Sequence, residues 1–70
     1  MKREFNALIK KDAGWWIGWV EEIPGVNSQG KTKAELLKNL ESALREALEF
    51  NRDEARSAAA SGYEEALIHA

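Results

Sequence analysis

Six consecutive residues, Trp15-Trp16-Ile17-Gly18-Trp19-Val20, limit the folds open to this chain more than any others. The run is aromatic and β-branched, lies between Lys11-Asp12-Ala13-Gly14 and Ile23-Pro24-Gly25, and is too short to favour a helix. It reads as a strand, from about residue 15 to 21. Successive strand side chains point to opposite faces, so Trp15, Ile17 and Trp19 share one face and Trp16, Gly18 and Val20 the other. Both sets are apolar. A sheet built on this strand therefore carries hydrophobic surface on both sides, and a chain of 70 residues has little material with which to cover both.

The flanking segments say how such a sheet is assembled. Phe5, Ala7 and Ile9 alternate with Asn6, Leu8 and Lys10, which predicts a first strand over about residues 4–10. Asp12 and Gly14 are suited to the reversal that follows, Asp by bonding nearby backbone and Gly by adopting positive φ. Pro24 has no N–H for a ladder, and Pro24-Gly25 favours a type II turn with Gly at positive φ. A short third strand is expected over residues 26–29.

Thr32-Lys33-Ala34-Glu35 has the form of a capping box, with the Thr32 hydroxyl on an orphan N–H and Glu35 reaching back to the cap. A helix is expected from Lys33. At 100° per residue, Leu36, Leu37, Leu40, Ala43, Leu44, Ala47, Leu48 and Phe50 form one broad stripe, opposite Lys38, Glu41, Arg45, Glu49 and Arg52. The pairs Glu41 with Arg45 and Arg45 with Glu49 are spaced to support each other on a solvated face. Glu54 would fall within the stripe, so packing should end near Asn51 or Arg52. The alanine-rich stretch from Asp53 to Ser61 can continue as helix to a stop at Ser61-Gly62. Tyr63, Glu65, Leu67 and His69 then alternate with Glu64, Ala66 and Ile68, predicting a final strand over residues 63–69. The expected fold class is α+β: one domain spanning residues 1–70, a three- to four-stranded antiparallel sheet on one long amphipathic helix, in the order β-β-β-α-β.

With no cysteine and one histidine, the chain has no disulfide, thiolate zinc site or redox motif. A core this small then gains most from self-association or a partner. No apolar run approaches the roughly 20 residues of a membrane span. Lys2 and Arg3 imitate the start of a secretory signal, but Glu4, Asn6, Lys10 and Lys11 interrupt the apolar region that should follow, so a cytoplasmic location is expected.

Catalytic chemistry finds no starting point. His69 is penultimate, and Asp12 and Asp53 lie in a turn and on a surface helix, which gives neither a triad nor paired carboxylates. No cofactor or metal is expected, and Gly25 and Gly30 read as turn glycines without phosphate-loop spacing. Residues 1–33 hold six basic and four acidic side chains, residues 34–70 four basic and eight acidic, so the dense basic footprint of a nucleic-acid binder is missing.

Interaction is the remaining reading. Gly18 would let the Ala43 and Ala47 region of the helix approach closely, which places Trp16, Gly18 and Val20 inward and leaves Leu8, Trp15, Ile17 and Trp19 as a partner or self interface. The alternatives are that this patch is covered by the chain's own tail or loops, or that it stacks single-stranded bases.

The order of these features, from a strand through the Asp12-x-Gly14 turn, the aromatic strand, Ile23-Pro24-Gly25 and Ser28-Gln29-Gly30-Lys31-Thr32 to a helix rich in Glu, Leu and Ala, resembles the HicB family. The likeness runs from about Phe5 to Phe50 and makes Gly14, Pro24, Gly25, Gly30, Thr32 and Glu35 its structural motif residues. It implies a degenerate RNase H-like domain acting as the antitoxin of a toxin–antitoxin pair. Its partner would be a HicA-like toxin, a small RNase that cleaves messenger RNA. Many relatives carry Cys where this chain has Val26, and often a small residue where it has Trp15. Many also add a C-terminal DNA-binding domain, for which this chain has no counterpart, so direct DNA binding is not expected. The functional expectation is a protein-binding, homo-oligomeric antitoxin, a dimer or tetramer, with an orphan oligomeric scaffold as the alternative.

Overall fold

A computed structural model describes residues 4–69; Lys2 and Arg3, weighed above as the start of a secretory signal, lie outside the described residues. The chain forms three strands, β1 (Ala7–Asp12), β2 (Trp15–Val20) and β3 (Asn27–Gly30), and one helix, α1 (Lys33–Ala59). The sheet is antiparallel in the order β1-β2-β3, and α1 packs on β2 and β3. This is the expected α+β arrangement.

Asp12 pairs with Trp15, so the connection between β1 and β2 is the two-residue loop Ala13-Gly14, with φ of 49° and 86°. Two successive positive φ values give the hairpin turn whose twist suits the flanking strands. Asp12 is thus a strand residue, and β1 lies two to three positions later than alternation alone suggested. The earlier positions still serve the sheet. Glu21 donates its N–H to the Asn6 carbonyl at 2.9 Å, while Phe5 packs against the core.

At Ile23-Pro24-Gly25-Val26 the Val26 N–H donates to the Ile23 carbonyl at 3.3 Å and Gly25 has φ of 89°, the type II turn expected from Pro-Gly. It returns the chain so that the Val20 N–H donates to the Val26 carbonyl at 3.0 Å. Gly30 plays another part than the turn glycine expected. It ends β3, and a Cβ placed there would lie 2.6 Å from the Leu36 backbone nitrogen. Its missing side chain is what lets the first turn of α1 descend onto the sheet.

Thr32 caps α1 in extended conformation, its Oγ accepting the Glu35 N–H at 3.1 Å. The return bond from Glu35 is not formed, which leaves one half of the capping box, and Glu35 contributes a negative charge at the positive end of the helix. Of the two expected ion pairs, Arg45 meets Glu41 at 2.6 Å, and both groups are well solvated.

The core is small: Val20, Val26, Leu36 and Leu40, surrounded by Phe5, Ile9, Trp16, Ile23, Ala43, Leu44 and Ala47. Leu40, not the expected alanines, fills the space over Gly18, where a Cβ would sit 3.1 Å from the Leu40 Cδ1 and 2.9 Å from the Ile9 Cγ2. Core packing stops at Ala47, one helical turn before the expected limit, yet α1 continues to Ala59 and ends at Ala60, ahead of the Ser61-Gly62 stop.

The final strand expected over residues 63–69 is not formed. That segment is exposed and unpaired, and lies back against the last turns of α1, where Arg56 and Glu65 approach to 3.5 Å. A strand needs a ladder partner, and the segment has none where it lies. The chain has a radius of gyration of 15.1 Å, against about 11 Å for a compact chain of this length.

Candidate functional site

The candidate site is the face of the sheet that α1 leaves open. Trp16, Gly18 and Val20 point toward the helix, and Gly18 and Val20 are buried there. Trp15 and Trp19 stand on the opposite face at 40% and 39% exposure. Leu8, paired with Trp19, is 46% exposed, and Ile17, at the centre of the face, is half-buried. The structure therefore brings Leu8, Trp15, Ile17 and Trp19 together on one surface, without a covering loop or tail from residues 4–69.

Register supplies the polar rim. Lys10 and Gln29 flank Ile17 on β1 and β3, Asn27 flanks Trp19, and Asp12 flanks Trp15. One step beyond the Trp16–Gly30 pair, Lys31 comes opposite Trp15, with its Nζ 6.0 Å from the ring centroid. On the helix side Lys33 holds its Nζ 5.3 Å over Trp16. Ammonium groups at such distances are attracted to the negative face of an indole. The two lysines were not among the expected site residues; the signal was their cross-strand position, which requires the β2–β3 register.

The remaining motif residues shape this face from behind. Gly14 closes the hairpin that carries Trp15, Pro24 and Gly25 turn the chain from β2 into β3, and Gly30, Thr32 and Glu35 set the helix on the opposite side. A polar clamp closes the far end. The Glu22 carboxylate accepts from the Asn6 backbone N–H at 2.9 and 3.2 Å and from the Asn6 Nδ2 at 2.7 Å. The backbone bond from Asn6 holds the Glu22 carboxyl below the usual carboxylate range.

Other exposed apolar side chains lie elsewhere: Leu37 and Phe50 on α1, at 45% and 62%, and Tyr63, Leu67 and Ile68 in the tail, at 47%, 80% and 91%. Sequence reading assigned Leu37 and Phe50 to the packed stripe because a helical wheel cannot tell how wide a strip the sheet covers. Among the described residues no three of His, Cys, Asp or Glu are grouped as metal ligands would be, and no helix is long and apolar enough to cross a membrane. What the open face offers chemically is apolar area, two indole rings and a rim of lysines and amides.

Two curated relatives match the chain. A UPF0150 protein of Thermoplasma acidophilum is 32% identical over 68 residues, covering 96% of this chain and 99% of the relative. A UPF0150 protein of Synechocystis is 40% identical over 58 residues, covering 80% and 79%. No family model and no solved structure matches.

Proposed function

The chain belongs to the UPF0150 family, and we propose that it is an antitoxin-like protein-binding module of the HicB type, which neutralises a small basic mRNA-cleaving toxin by direct binding. The observation that carries this reading is the uncovered face of Leu8, Trp15, Ile17 and Trp19. Aromatic anchors within a continuous apolar patch are the usual carriers of binding energy, and soluble monomers seldom leave such patches open. The acidic second half of the chain suits a basic partner, whose approach it would accelerate. The order of motifs from Asp12-x-Gly14 to Glu35 adds the family likeness that names the partner class.

The test looks for a short basic protein encoded beside this chain, whose absence would count against the toxin reading, and measures that protein's cleavage of RNA with and without the chain. Wild-type chain should suppress cleavage, and Trp15→Glu with Trp19→Glu should abolish suppression while leaving the far-ultraviolet circular dichroism unchanged. Undiminished suppression by that variant would overturn the assignment of the face. A second reading, an oligomeric scaffold without a toxin, is favoured by the accessible surface of 6036 Å², well above the roughly 4,400 Å² of a compact 7.9 kDa monomer.

A further inference from the structure

We infer that two copies of this chain exchange their C-terminal segments, residues 63–69 of each pairing as an antiparallel strand on the free edge of β1 of the other. This proposal uses the edge of the sheet, not its tryptophan face, and does not rest on a toxin.

Three observations point to it. First, the edge of β1 is open. The helix lies over β2 and β3, and on the β3 side the Asn39 amide donates to the Gln29 carbonyl at 2.9 Å, which blunts that edge. No hydrogen bond among the described residues reaches the side of β1 that faces away from β2. Unpaired strand edges are templates for another strand.

Second, the tail complements β1 residue by residue. Set antiparallel with Leu67 opposite Leu8, it places Ala66 opposite Ile9, Glu65 opposite Lys10 and Glu64 opposite Lys11. Leu8 and Lys10 face the tryptophan side and Ile9 and Lys11 the helix side, so each face gains one apolar and one opposite-charge pair. Shifting the register by one residue in either direction loses a pair: Lys10 then lies opposite Ala66, or Ile9 opposite Glu65.

Third, the length of α1 limits this strand within one copy. The helix runs about 18 Å past Ala47, its last residue against the core, and the ten residues after it, 60–69, span about 33 Å fully extended. The return to its own β1 uses more than half of that length and leaves only about four residues to pair. A second copy has no such constraint. The excess accessible surface, about 1,600 Å² per chain, exceeds the roughly 800 Å² that each partner buries in a standard interface.

Sedimentation equilibrium of the full chain tests this first. A mass of twice the chain is expected for wild type, and the single-chain mass for Leu67→Glu with Ile68→Glu, whose positions are too exposed in one copy for the change to affect its folding. A monomeric wild type, or a variant that stays dimeric, overturns the proposal. The second test places the strand. The chain has no cysteine, so Leu8→Cys and Leu67→Cys can be introduced in separate chains and mixed under mild oxidation. A heterodimeric disulfide should form faster with this pair than with Leu8→Cys and Lys38→Cys, the latter on the solvated helix face. Equal rates would overturn the register and the exchange with it.

Discussion

From Leu36 to Ala47 the helix rests on β2 and β3, with Leu36 and Leu40 at 0% and 3% exposure, whereas from Glu49 to Ala59 every residue is exposed. The first part is helical because an apolar stripe is buried. The second is helical because Arg52, Glu54, Ala55, Arg56, Ala58 and Ala59 are strong helix formers extending a helix already nucleated. A segment of that length would be marginal alone. The difference teaches that this chain contains a finished half, the sheet with the first turns of α1, and a half held in place by propensity alone, available to a partner.

The comparison can be broken at its strongest point. Leu36→Ala should destabilise the fold by about 2–5 kcal/mol, read as a drop in the urea midpoint. A change below that range would mean that the small core is not what holds the first half. In the second half Ala55→Gly should cost α1 about 1 kcal/mol of local helix stability. Circular dichroism should register reduced helicity beyond Asn51 while the urea midpoint of the sheet hardly moves. Equal shifts in both readouts would show that the halves unfold together.

A smaller effect concerns the Asn6–Glu22 clamp. Because the Glu22 carboxyl is held below its ordinary range, its contribution is present above the unfolded-state value and is lost as pH falls through the lower folded-state value. Glu22→Gln should therefore lower the urea midpoint near neutral pH, and the difference from wild type should vanish in acid. The group is exposed, so the effect is small and belongs to the end of the sheet, away from α1.

What the sequence made legible follows the same division. The Ala13-Gly14 reversal, the Pro24-Gly25 turn, the Thr32 cap and the parity of β2 depend on residues within a few positions of one another, and the structure has all of them. Gly30 was read as a turn glycine because its close approach to Leu36 is a distance through space that neighbouring residues do not encode. The choice of Leu40 over Ala43 and Ala47 to fill the space at Gly18 depended likewise on where the helix crosses the sheet. For the tail, alternation identified a segment able to be a strand, but a strand is a property of two segments, and its second is missing within one copy. Leu8, Trp15, Ile17 and Trp19 were legible because strand parity alone groups them; the lysines beside them required register.

Amide hydrogen exchange of the full chain at two concentrations, above and below dimerisation, tests the division most directly. At both concentrations β2 and Leu36 to Ala47 should exchange slowly. Residues 49–69 and the edge amides of β1 should exchange fast in dilute solution, and residues 63–69 and the edge amides of β1 should become protected together as concentration rises. Uniform protection along Lys33–Ala59 in dilute solution, or exchange in the tail and β1 that ignores concentration, would contradict the account.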